Sequence, residues 1–299
     1  MKHLIRLNEA EGIDIERILD LATRMETSPE LFQNELAGRS VGLFFQKPST
    51  RLRFAFEVGV AQLGGTTSLF RTSDLQLSRG ESLADTARVL SNYLDAIVIR
   101  GGTQQDLLDF VQFGKIPVIN GLTAKYSPVG ALGAAYTIKK KLGTLDGRKL
   151  AYVGDGNNIA HSLMLMCPKS GMDISVISPE WYQPSPDVVE EGEALAKKAG
   201  TAFEITDDIN AVSGADVIFT DVWTSMGMEE ERDERLQAFQ GYQVNRKMLE
   251  MTGGKPMVLH CMPVRRGEEI SAEVAAESEI YENAANLLHV AKAILYYLL

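Results

Sequence analysis

The sequence predicts an α/β protein of two doubly wound domains, each with a central parallel sheet, joined by helices that include a C-terminal one. Three observations predict it. The length of 299 residues is that of two ordinary domains, taking roughly 150 residues per domain. Short, β-branched apolar runs alternate with longer segments of helical period, the pattern of parallel strands covered by crossover helices. The alternation breaks at a link carrying two glycines and no apolar period, Leu142 to Arg148, and then starts again.

An N-terminal helix is expected near Ile13 to Met25. The first strand is Val41-Gly42-Leu43-Phe44-Phe45, followed by a helix from Thr50 to Leu63. Ala96 to Ile99 is the next strand, with its helix from Gln104 to Phe113, and Pro117 to Asn120 precedes a helix from Pro128 to Leu142. Beyond the link, strands are expected at Lys149 to Val153, Asp173 to Ile177, Ala215 to Phe219 and Met257 to His260, each ending in a polar, glycine-containing turn. The apolar stretch Asn286 to Leu299 reads as a last helix. The domains are therefore expected at residues 1–142 and 148–283, with 284–299 packing back on the first.

No apolar run approaches the ~20 residues that span a bilayer, and the N-terminus lacks a sustained apolar signal segment, so a cytoplasmic protein with no membrane partner is expected. The net charge of −10 offers no general footprint for nucleic acid. Cys167 and Cys261 are too few for a disulfide framework, and the four histidines are scattered, which points to reduced thiols and no metal site.

Ligands of open parallel sheets sit beyond the carboxyl ends of the strands, and the polar motifs of this chain lie there. After the first strand comes Lys47-Pro48-Ser49-Thr50-Arg51-Leu52-Arg53, where Ser49 or Thr50 can cap the helix; hydroxyls, a helix N-terminus and Arg51 together make an anion pocket suited to phosphate. A capped helix with solvated arginines is the plain alternative. Arg100 directly follows a strand and is expected to face a site. A polar turn, Arg79-Gly80-Glu81-Ser82, leads into an amphipathic helix.

In the second half, Gly154-Asp155-Gly156-Asn157-Asn158 lacks the glycine spacing of a dinucleotide turn but offers amides suited to an amino-acid head group. Asp221-Val222-Trp223-Thr224-Ser225-Met226-Gly227 and His260-Cys261-Met262-Pro263 also follow strands, and an aspartate at a strand end can pair an ammonium. A Cys-His hydrolase built on Cys261 is disfavoured, because adjacent strand residues point to opposite faces. The run Glu229 to Arg235 reads as a solvated helix face.

These motifs, in this order, resemble those of the aspartate/ornithine carbamoyltransferase family, most closely its ornithine enzymes. The resemblance implies transfer of a carbamoyl group from carbamoyl phosphate to the side-chain amine of ornithine or a close relative, in amino-acid metabolism, with no metal or organic cofactor. It implies a donor site of Ser49, Thr50, Arg51, Leu52, Arg100, Ser127 and Leu287. The acceptor site would be Asn158, Asp221, Ser225, Met226, Cys261 and Met262, with Arg51, Arg100 and Cys261 as catalytic groups. It also implies a homotrimer with shared active sites, each donor site completed by the Arg79 to Ser82 loop of a neighbour.

The chain departs from the family where the carbamoyl group is held. The family's His-Pro-x-Gln is here Ser127-Pro128-Val129-Gly130, its C-terminal arginine is Leu287, and a phosphate-binding threonine is Leu52. Each lost oxyanion donor typically raises the barrier by about 2.7–4 kcal/mol. Three readings follow: a carbamoyltransferase with replacement contacts from Ser127, Tyr126, Lys125, Gln104 or Gln105; a transferase with another phosphorylated donor and an ornithine-like acceptor; or a non-catalytic amino-acid-binding paralogue.

Overall fold

The structure, a computed structural model, describes residues 1–8 and 12–299. The chain divides into two compact units, one of Met1–Tyr136 with Ala285–Leu299 and one of Thr137–Ala284.

In the first unit, α1 (Ile15–Thr27) starts where Asp14 accepts from the Arg17 N–H at 2.9 Å. It buries Ile18, Leu21, Ala22 and Met25, a stripe at helical spacing. Then come β1 (Ser40–Phe45), α2 (Arg51–Gln62), β2 (Thr66–Phe70), α3 (Leu83–Leu90), β3 (Ala96–Arg100), α4 (Gln104–Phe113), β4 (Val118–Leu122) and α5 (Pro128–Leu142). The strands form one parallel sheet in the order β2-β1-β3-β4. Central β1 and β3 are buried on both faces, which is why they read as unbroken apolar runs. The N-terminal segment lies along β4, with the Leu4 N–H donating to the Val118 carbonyl and the Leu4 carbonyl accepting from the Asn120 N–H.

The second unit repeats the plan with β5 (Lys149–Val153), α6 (Asn158–Lys169), β6 (Asp173–Ile177), α7 (Pro186–Ala199), β7 (Phe203–Thr206) and β8 (Val217–Thr220). After these follow α8 (Arg232–Ala238), α9 (Arg246–Met251), β9 (Met257–His260) and α10 (Ala272–Glu277), and then α11 (Ile280–Leu298), which from Ala285 on belongs to the first unit. Its parallel sheet runs β7-β6-β5-β8-β9. Helix α6 is buried all round from Ile159 to Pro168, so its helical period is hidden in a continuous apolar stretch.

The expected fold class, two parallel sheets covered by helices, is the one found. Two strands were not expected. Both β2 and β7 are short sheet edges with exposed, partly polar residues, and neither has an apolar run to betray it. The last helix begins at Ile280 rather than Asn286, since polar residues in its first turns are still helical. Among the described residues, no helix is long and apolar enough to cross a membrane.

Candidate active site

In each sheet the strand order reverses once, opening a crevice at the carboxyl ends of the two strands that flank the reversal. In the first unit those strands are β1 and β3; in the second they are β5 and β8. The first crevice is flanked by Gln46 to Arg51 and by Arg100, the second by Gly154 to Asn158 and by Asp221.

At the first crevice α2 begins at Arg51 without a side-chain hydrogen bond from Thr50, whose backbone is already helical. Ser49 takes the capping role instead, its Oγ accepting from the Arg53 N–H at 3.4 Å. Thr50 is thereby corrected as a cap. Arg53 is occupied by Glu57 one turn on, at 3.1 Å. Arg100 is half-buried, and its Nε has no hydrogen-bond partner among the described residues. Burial, and then the positive charge of Arg51, hold the Arg100 guanidinium below its usual pKa. Two guanidinium groups close enough to repel one another, one with a buried donor unused, describe an anion pocket.

The other first-unit candidates are placed as follows. Leu52 is buried, with its Cδ2 3.2 Å from where a β-carbon at Gly121 would stand. Ser127 is buried just before α5, and its carbonyl accepts from the Ala131 N–H. Leu287 presses on Gly133 of α5, where a β-carbon would come within 2.7 Å of its Cδ2. Tyr126 accepts at its hydroxyl from Arg6, at 3.4 Å. Gln105 donates to Asp109 on an exposed face. Gln104 differs, because the Thr123 hydroxyl donates to its amide oxygen at 3.1 Å, which fixes the group and leaves the amide NH2 to donate elsewhere.

At the second crevice, Asn157 caps α6: its Oδ1 accepts from the Ile159 and Ala160 N–H groups, and its Nδ2 donates to Asp221 at 2.9 Å. Asn158 follows as the first helical residue. Asp221 is 8% exposed. Burial raises its carboxyl pKa, opposed by the nearby His260 and by hydrogen bonds that include the Cys261 thiol. His260 accepts at Nδ1 from the Met262 N–H at 2.6 Å, so its proton sits on Nε2, which donates to buried Glu269 at 3.0 Å. His260 therefore holds the turn that follows β9. Among the described residues, this imidazole, at 3.9 Å, is the one basic side chain within ion-pair distance of the buried Asp221 carboxyl.

Met262 is held by that bond in a left-handed conformation, φ 57°, and its side chain packs on the core of this unit. Ser225 is half-buried, while Met226 is 55% exposed on the loop beyond Trp223.

The run Glu229 to Arg235 is not simply solvated. Arg235 is 7% exposed; its Nη1 donates to Asp155 Oδ1 and to the Trp223 carbonyl, each at 3.0 Å, and its Nε donates to Glu231. Its guanidinium also lies over the Tyr182 ring. One arginine thus ties the loop after Asp221 to the turn after β5. Burial pushes the Asp155 carboxyl up to about 6, against the pull of Arg235.

Residues 2–140 match the family model for the aspartate/ornithine carbamoyltransferase carbamoyl-P binding domain, and residues 146–298 match that for the Asp/Orn binding domain. The chain belongs to the aspartate/ornithine carbamoyltransferase family. Among the curated members it resembles, the ornithine carbamoyltransferase of Bacillus subtilis is 44% identical over 297 residues, covering 98% of this chain and 92% of that one. The Symbiobacterium thermophilum enzyme of the same name is 43% identical, at 98% and 96% coverage. The solved structure of ornithine carbamoyltransferase from Pyrococcus furiosus superposes with a TM-score of 0.93 at 42% identity, covering 98% of this chain and 96% of that chain.

Within this carbamoyltransferase fold, the structure brings Arg51 and Arg100 together in one unit and Asp221 and Cys261 in the other. Met226 is 55% exposed on the loop that follows Asp221. Sequence reasoning missed three residues. Asn157 was overshadowed by its neighbour Asn158, although an N-cap two residues before an apolar stretch is a readable signal. Asp155 and Arg235 are 80 residues apart, and nothing in either segment announces the pair.

Proposed function

We propose that this enzyme transfers the carbamoyl group of carbamoyl phosphate to ornithine, giving citrulline and phosphate. The observation that carries the reading is the buried Arg100 Nε at a sheet's switch point, without a hydrogen-bond partner among the described residues and beside the positive charge of Arg51, a donor suited to an anion such as the donor's phosphate. Full-length likeness to ornithine carbamoyltransferases favours this over a different phosphorylated donor or a non-catalytic binding role.

In this reading residues 1–142 bind the donor and 148–283 the acceptor. Ser49, Thr50, Arg51 and Arg100 hold the phosphate, with the backbone of Leu52 at the helix start and Ser127 and Leu287 bordering the carbamoyl group. Asp221 takes the acceptor's α-ammonium, Asn158 and the Ser225–Met226 backbone its carboxylate, and Cys261 and Met262 lie beside the reacting amine. The neutral side-chain amine attacks the carbamoyl carbon, a C–N bond forms, the C–O bond to phosphate breaks, and the amine's extra proton leaves. Approximation of two bound substrates supplies most of the acceleration. Gln104, fixed by Thr123, donates to the carbamoyl oxygen in place of the missing family side chains.

The enzyme acts in the cytoplasm as a homotrimer, each donor site completed by the neighbour's Arg79 to Ser82 loop. Exposed Phe54 and Val58 on α2 and Leu69 on edge strand β2 supply an apolar surface for the contact. Citrulline formation from carbamoyl phosphate and ornithine tests the activity, and its absence from folded protein would end the assignment. Mixing inactive Arg51→Ala and Arg79→Ala chains tests the shared site: activity regained in mixed trimers supports it, and none regained refutes it.

A further inference from the structure

We propose that a cavity beside α1, α2 and α11 in the first unit is a second ligand site, which takes an apolar α-amino acid as its zwitterion. The cavity has a volume of about 640 Å³, within the range of small-molecule pockets. None of its lining residues belongs to the donor set.

Its decisive feature is Lys292, on α11. The residue is 3% exposed, and its ammonium has no hydrogen-bond or ion-pair partner among the described residues. Its stem passes close over α2, where a β-carbon at Gly59 would stand 3.2 Å from Lys292 Cγ, so the glycine makes room for it. The ammonium of so buried a side chain is costly to leave without a hydrogen bond, and burial holds Lys292 below the usual lysine pKa, opposed by the charge of Glu26.

Glu26 lines the same cavity. One of its oxygens accepts from the Tyr136 hydroxyl and the other lies 3.9 Å from His289 Nε2. The wall therefore presents one cation and one anion, between apolar surfaces from Met25, Phe32, Leu63 and Leu288. A dianion is repelled by Glu26, and a simple amine by Lys292. A molecule carrying one carboxylate, one ammonium and an apolar chain satisfies all three, with its carboxylate on Lys292 and its ammonium on Glu26.

The test uses the whole protein and L-methionine as probe. Acylation of Lys292 by acetic anhydride is followed by mass spectrometry of its peptide. Saturating L-methionine slows that acylation at least tenfold and leaves surface lysines unchanged, whereas L-methioninamide, lacking the carboxylate, gives no protection. Asp221→Asn retains the protection, which separates this cavity from the acceptor site. Calorimetric binding of L-methionine to Asp221→Asn protein is lost on adding Lys292→Met, which keeps the stem, and survives with Lys292→Arg. No protection in folded protein, equal protection by the amide, or undiminished binding with Lys292→Met would overturn the proposal.

Discussion

Replacing Arg100 by methionine should make the empty protein more stable and the phosphate-bound protein less so. In the unliganded fold the Arg100 guanidinium is half-buried, its Nε lacks an acceptor among the described residues, and Arg51 repels it. Methionine keeps the stem's packing and removes the charge, so the empty protein gains on the order of 1 kcal/mol. That is a rise of about 2 °C or more in Tm for a domain of this size. With phosphate bound, the variant forfeits one or two charge-assisted hydrogen bonds at about 1.5–3 kcal/mol each, or roughly 10- to 150-fold in affinity for a single bond. Wild type at a phosphate concentration of about 100 times Kd gains about 2.7 kcal/mol, and the variant at the same concentration gains only about 0.3–1.4 kcal/mol. Thermal unfolding with and without phosphate measures both signs at once. A variant less stable when empty, yet equally stabilised by phosphate, would show that Arg100 is a structural residue and that the anion pocket lies elsewhere.

Asp221→Asn removes the buried carboxylate proposed to pair the acceptor's ammonium; the KM for ornithine should rise at least 30-fold, from a loss of about 2 kcal/mol or more, while phosphate-induced stabilisation stays unchanged. Gln104→Ala should lower kcat about 100-fold and spare phosphate binding, whereas an unchanged kcat would remove Gln104 from the carbamoyl site. Asp155 is raised from 3.8 to about 6 in the folded chain, so its share of stability is complete below the unfolded value and is lost as pH rises through about 6. The stability of wild type relative to Asp155→Asn should therefore decline between about pH 4 and pH 6, and a difference that stays flat or grows would contradict the assignment of that shift.

The central strands were legible because burial on both faces writes them as apolar runs; β1 and β5 could be placed almost to the residue. Edge strands β2 and β7 were not, because Thr66-Thr67-Ser68 and Phe203-Glu204 owe their extended form to a neighbouring strand and not to any pattern of their own. The site divides in the same way. Motifs at strand ends pointed to Arg51, Arg100, Asp221 and Cys261, since a local run of residues carries each of them. Arg235 could not be found, because its meaning depends on a carboxylate 80 residues away and its own surroundings are acidic and apparently solvated. Ser49 and Thr50 were equally good caps on paper, and only the helical backbone at Thr50 decides between them.

The substitutions in the carbamoyl pocket look less severe once packing is considered. Leu287 is not an arginine position left vacant, because it fills the groove that Gly133 leaves on α5, so exchange of a polar for an apolar side chain there is matched by its neighbour. Likewise Leu52 fits against Gly121. What the chain retains is charge at the two switch points: two arginines, Arg51 and Arg100, and a buried carboxyl group at Asp221. Under the proposed function each meets a ligand of opposite charge, a phosphate in one case and an ammonium in the other. Substrate selection therefore rests on these charges, while the neutral carbamoyl group, which needs only directed donors, is the part of the donor whose contacts can be exchanged without changing what the enzyme binds.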